Sequence, residues 1–135
     1  MNITANLYLN VNPPDYPMPE AATSTAISRR LTDIRDKSTL NSADIATVTG
    51  AQPETVSKWN QSKAVPRPDA QRRLLDLDYI VDQLSDLYDQ PDEIKLWLFS
   101  RQKLLGGRIP MDLIHEGKTE DVIGVIDQLR DSVFV

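Results

Sequence analysis

The sequence predicts an all-α fold: an N-terminal helix-turn-helix lobe, a long central helix and a small helical C-terminal domain. Three observations carry this reading. Apolar residues recur at three- and four-residue spacing from Ile27 to Leu129. Helix-starting and helix-stopping residues punctuate them, among them Asn41, Gly50, Pro53, Pro68, Pro91 and Pro110. Strand-like alternation is confined to residues 2–12.

In that first stretch, NITANLYLNVN, residues Ile3, Ala5, Leu7, Leu9 and Val11 alternate with polar or amphipathic neighbours. Nothing else in the chain alternates, so the stretch is either a strand completed by another subunit or a disordered tail. Pro13, Pro14, Pro17 and Pro19 then break any regular structure. Residues 1–22 are therefore read as extension and linker.

From Thr23 to Lys37, Ile27, Leu31 and Ile34 mark one face of a first helix. In LNSADIATVTG, Asn41 suits the N-cap with Asp44 at the third helical position, Leu40 can staple onto Ile45, and Gly50 ends a short helix. Gln52-Pro53 begins the next, since proline is tolerated at the first helical position. These elements make up the lobe of residues 23–67. A long helix follows from Pro68 to Tyr88, within residues 68–90. Ala70, Leu74, Leu77, Val81, Leu84 and Tyr88 form its stripe, widened by Leu75, Ile80 and Leu87. In the C-terminal domain, residues 91–135, Pro91-Asp92 starts a helix through IKLWLFS and Ser100 caps a short one ending at Gly106-Gly107. Pro110 opens another that stops at Gly117, and Thr119 caps the last, whose first turn holds Glu120 and Asp121.

Composition excludes much chemistry. There is no cysteine, hence no disulfide, thiolate metal site or thiol nucleophile, and the single His115 has no second histidine for a metal site. No cofactor is expected. Apolar runs are short and Met1 is not followed by a basic, then apolar, leader, so a cytoplasmic protein without a membrane span is expected. The net charge of −5 is uneven: residues 1–67 hold seven Lys/Arg against six Asp/Glu, residues 68–135 eight against fourteen. The acidic half repels a phosphate backbone and suits either a basic protein partner or solvent.

The constellation with functional content is Ala46, Gly50, Val56 and Trp59. A small residue lets two helices cross closely, a glycine takes the turn, and two apolar residues bury the inner side of the second helix, as a helix-turn-helix requires. In a DNA reader the second helix offers Gln52, Glu54, Ser57, Lys58 and Gln61 to base edges: glutamine to adenine, Lys58 to guanine, Glu54 to cytosine amino groups. Lys63, Arg67, Arg72 and Arg73 then serve as phosphate contacts. A reader of paired half-sites works as a homodimer, for which the long leucine-rich helix is the candidate contact.

Enzymatic readings fare poorly. Asp76, Asp78, Asp82, Asp86 and Asp89 read as a solvated face rather than an acid/base pair, and His115 as a surface histidine near a helix C-terminus. Gly106-Gly107 lacks the preceding strand and the following lysine of a phosphate-cradling loop.

From Trp97 the chain reads WLFSRQKLLGGRIPMDLIHEGKTEDVIGVIDQLRDSVFV. Leu104-Leu105-Gly106-Gly107, Pro110, Leu113-Ile114, Gly117 and the Val122 to Leu129 helix make this segment resemble the C-terminal domain of the MbcA/ParS/Xre antitoxin family. With TVSKW and the helix-turn-helix, the resemblance spans about Thr23 to Val135. It implies an antitoxin of a type II toxin–antitoxin pair whose partner is an NAD-consuming RES-domain toxin. The C-terminal domain is implied to cover the toxin's active site and the N-terminal lobe to bind the operon's own operator, in a higher-order complex. The implied toxin contacts are Gly106, Gly107, Arg108, Ile109 and Pro110 together with the terminal Ser132, Val133, Phe134 and Val135. The glycines permit close backbone approach, and Arg108 suits a toxin carboxylate or carbonyl. Burying the three terminal apolar side chains in a cleft contributes about 4 to 7 kcal/mol before ordering costs. The other course for DSVFV is packing on its own core. The alternative function is a free-standing repressor whose acidic half only dimerises.

Overall fold

The computed structural model describes residues 23–134. They form seven α-helices: α1 (Ser24–Ser38), α2 (Ser42–Thr49), α3 (Pro53–Asn60), α4 (Pro68–Ser85), α5 (Pro91–Phe99), α6 (Pro110–His115) and α7 (Thr119–Phe134). A 3₁₀ turn, Lys103–Leu105, joins α5 to α6. The fold is all-α, and the alternating stretch at residues 2–12 lies outside the described residues.

Local chemistry sets the helix starts. Thr23 Oγ1 accepts from Ala26 N and caps α1. Asn41 and Asp44 form a reciprocal capping box on α2, each side chain bonding the other's backbone N–H at 2.9 Å. Leu40 and Ile45, the expected staple, are both buried in the core cluster. Proline opens α3, α4, α5 and α6, where its missing N–H costs no helical bond.

α4 is the axis of the molecule. Leu74, Leu77, Ile80, Val81 and Leu84 are fully buried along it, and α1, α2, α5, α6 and α7 all pack on it. One cluster of buried residues runs from Ile27 in α1 through Val56 and Trp59 in α3 to Val122 and Ile126 in α7. At about 1.5–3 kcal/mol for each large aliphatic side chain removed from water, this shared core favours the three segments folding together.

Three local expectations are corrected. The long helix stops at Ser85 rather than Tyr88: Ser85 Oγ donates to Asp82 O at 2.6 Å, and the chain turns so that Leu87 N and Tyr88 N both bond Leu84 O. Its apolar spacing outlasts its helical backbone. Ser100 caps nothing, because its hydroxyl turns back to Leu96 O; Gln102 precedes the 3₁₀ turn and its amide bonds Trp97 O at 3.0 Å. Thr119 is the first residue inside α7, and its hydroxyl donates to Asp76 Oδ2 on α4 at 2.8 Å.

Candidate functional site

Two surfaces hold the residues singled out by the sequence. The first surrounds the α2–α3 turn. Gly50 takes φ +79°, its N–H bonding Ala46 O at 2.9 Å, while Ala46, Val56 and Trp59 are buried beneath. Gln52, Glu54, Lys58 and Gln61 are exposed on the outer side of α3 and Ser57 is half-buried. Lys63, Arg67 and Arg72 are exposed around it, and neither they nor Lys58 make an ion pair among the described residues.

Arg73 is different. Its Nε donates to His115 O at 3.3 Å, Nη1 lies 3.8 Å from Asp76, and the guanidinium lies against Gly117. The side chain assigned to phosphate thus ties α4 to the end of α6, because its position on α4 directs it toward the C-terminal segment. His115 completes that junction: its Nδ1 is 3.0 Å from Val48 O, one of the last carbonyls of α2, which has no acceptor role left inside its own helix. The lone histidine is a structural clasp between α6 and the α2 terminus, a role its sequence position gave no sign of.

The second surface is built by the 3₁₀ turn, the loop after it and α7. Gly106 and Gly107 take φ +67° and +81°. Gly107 N bonds Gln102 O at 2.9 Å, Gln102 N bonds Arg108 O at 3.0 Å, and Arg101 Nη1 reaches Gly107 O at 3.2 Å. The loop itself therefore requires both glycines. Arg108 projects outward but is partnered within the chain, Nη2 lying 2.6 Å from Glu116, whose other oxygen is 3.6 Å from Lys118. Ile109 is half-buried, and Pro110 is buried as the first residue of α6.

α7 runs parallel to α4. Thr119 meets Asp76 near its start, and Arg130 meets Gln83 Oε1 at 2.7 Å and Asp86 at 3.5 Å near its end. α4 ends at Ser85, so α7 overruns it. Along the core-facing stripe Val122, Val125 and Ile126 are buried, Leu129 is half-buried, and Val133 is 63% exposed. Ser132 is exposed too; the side chain of Phe134 and all of Val135 lie outside the described residues.

Sequence reasoning missed other exposed apolar residues. Leu96 is 68% and Leu104 58% exposed, with Phe99 also at the surface. One signal was present for α5: IKLWLF holds more apolar residues than one buried stripe of a nine-residue helix takes up, and Ile94, Trp97 and Leu98 fill it.

Among the described residues no group of acidic or histidine side chains is placed to hold a metal ion. No helix there is long and apolar enough to cross a membrane.

No protein-family model matches the chain. Similar proteins define its class, the antitoxins of bacterial toxin–antitoxin pairs. The mycobacterial cidal antitoxin MbcA of Mycobacterium tuberculosis and of Mycobacterium bovis is 32% identical over 92 residues, covering 68% of this chain and 80% of the relative. A probable mycobacterial cidal antitoxin of Mycobacterium tuberculosis, Rv3188, is 30% identical over 68% of this chain and 77% of its own. The crystal structure of the Mycobacterium tuberculosis MbcT–MbcA toxin–antitoxin complex contains a chain that superposes with a TM-score of 0.71 at 28% identity, over 80% of this chain and 96% of that one. The chain belongs to the MbcA antitoxin family.

Proposed function

We propose that this chain neutralises a RES-domain, NAD-consuming toxin by seating the C-terminal end of α7 in the toxin's active-site cleft. The observation that carries this reading is the overrun of α7: its core stripe continues to Val133, where the chain offers it no partner. An exposed apolar terminus costs solubility unless another molecule covers it. MbcA, the similar protein, has been crystallised in complex with MbcT, which fits a protein partner for this surface. Inhibition is steric: the chain supplies bulk and apolar contact, no reacting group. Deleting residues 132–135 tests it. The truncated protein is expected to fold as before and to lose rescue when co-expressed with the neighbouring gene's toxin; undiminished rescue refutes the reading.

The exposed Lys58, Arg67 and Arg72 around the α2–α3 turn favour a second role, operator binding through a helix-turn-helix, with autoregulation. Half-buried Leu75 and exposed Tyr79 on the outer face of α4 fit the homodimer contact that role needs. Lys58→Ala with Arg72→Ala is expected to weaken operator binding and flatten its salt dependence in a gel-shift titration, by a slope of about two for two lost phosphate contacts. An unchanged titration counts against those contacts. Operator binding without any toxin partner points instead to the free-standing repressor.

A further inference from the structure

Four of the five glycines have a reason inside the fold, with φ between +67° and +85° at Gly50, Gly106, Gly107 and Gly117. Gly124 has none. It sits within α7 in helical conformation, and a Cβ built on it meets nothing within 4 Å. Glycine is the poorest helix former after proline, so this residue weakens α7 while the chain's own packing leaves room for a larger one. A structural need is thus absent where a cost is present.

Gly124 borders a groove of about 460 Å³ between α7 and the 3₁₀ turn. Arg108 and Lys118 line it, but Glu116 is paired with both. Glu120 and Asp121, also lining the groove, make no ion pair among the described residues, so the groove presents uncompensated negative charge. Exposed Leu104 adds an apolar contact. From Gly124 the same face of α7 runs, in steps of four residues, through Gln128 to Ser132, where the terminal segment begins.

We propose that this groove receives a segment of the toxin whose backbone lies against Gly124, with a lysine or arginine of that segment between Glu120 and Asp121 and an apolar side chain on Leu104. The inference rests on the antitoxin reading above. It commits to the toxin as occupant because the groove is continuous with the terminal segment assigned to the toxin's cleft, and because two unpaired carboxylates attract a basic segment and would repel their own copies.

The test uses the full chain and the purified protein encoded by the neighbouring gene. Gly124→Ala is expected to raise the Tm of the free antitoxin by about 2 to 4 °C, since it improves α7 without a clash. The same variant is expected to weaken toxin binding by at least about tenfold in calorimetric titration. Asp121→Lys is expected to weaken binding while leaving the Tm within a few degrees. Wild-type binding with Gly124→Ala binding equally tightly overturns this proposal and leaves the antitoxin reading standing. A lowered Tm for Gly124→Ala overturns it as well, by showing that the fold needs the glycine. Sedimentation showing altered self-association with toxin affinity unchanged assigns the groove to a second copy and overturns it. Wild-type chain that does not bind the toxin at all overturns the antitoxin reading, and this proposal with it.

Discussion

Replacing Val133 by lysine separates binding from folding at a single position. Fully burying a valine is worth about 1.5 to 3 kcal/mol. Val133 is 63% exposed, so about two thirds of that, roughly 1 to 2 kcal/mol, is left to be gained when a partner covers it. Losing it weakens toxin binding about 5- to 30-fold, and the cost of placing an ammonium in an apolar cleft is added to this floor. The free protein pays little: the remaining third is about 0.5 to 1 kcal/mol, and a cation in the last turn of α7 returns about 0.3 to 1 kcal/mol from the helix dipole. Thermal unfolding of Val133→Lys should therefore superpose closely on that of the wild type, while calorimetric affinity for the toxin falls and co-expressed cells lose protection. Equal affinity would show that the end of α7 stays in solvent in the complex and would refute the plug. A large drop in Tm would show that the tail packs on its own core, the other course open to DSVFV.

Two further outcomes test the scaffold. Gly50→Ala is expected to destabilise the fold by about 1 to 2 kcal/mol in urea unfolding through its φ of +79° alone; the added Cβ would sit 3.7 Å from His115 Cε1, an ordinary contact, so truncating His115 as well should recover nothing. Lys37 has its ammonium pKa raised, chiefly by its hydrogen bond to Asp82 at 2.8 Å, against an opposing effect of burial and with help from the charges of Asp82, Asp33 and Asp78. A raised folded pKa means the contribution is complete at and below the ordinary lysine range and disappears as pH rises through the raised value. The pair is exposed, so Lys37→Met should lower stability by no more than about 0.5 to 1 kcal/mol at neutral pH, and the gap in Tm between the two proteins should close in strong alkali. A gap that persists there would assign the effect to packing of the lysine stem.

The fold was legible because its helices announce themselves twice, by apolar spacing and by caps. Ile27, Leu31 and Ile34 in α1 and Leu74, Leu77, Val81 and Leu84 in α4 were read as stripes, and all are buried. The capping box at Asn41 and Asp44 and the turn at Gly50 were equally plain. Short polar residues were not. Ser85, Ser100 and Thr119 each carry a hydroxyl that can bond a nearby carbonyl, cap a helix or reach across to another element, and the choice depends on neighbours distant in sequence. Thr119 meets Asp76 only because α7 lies parallel to α4.

The binding surfaces were less legible for a related reason: sequence spacing shows what a residue is able to do, and only the folded chain shows what is already spoken for. Arg73 and Arg108 both looked like charges free to meet a partner, yet Arg73 joins α4 to the end of α6 and Arg108 is held by Glu116. Gly106 and Gly107 looked like room for an approaching backbone, yet the loop they sit in needs both of them at positive φ. Removing from each list what the fold consumes leaves a shorter set. Lys58, Arg67 and Arg72 remain around the α2–α3 turn, and Leu104, Glu120, Asp121, Gly124 and Val133 around α7. Each of the α7 residues carries a cost or an unmet contact in the isolated chain: an apolar side chain in water, a carboxylate without a counter-ion, a glycine inside a helix. Costs of this kind, placed along one face and at its end, are what a surface shaped by a bound partner retains when the partner is absent, whereas a merely solvated helix would carry alanine at position 124 and a polar residue at position 133.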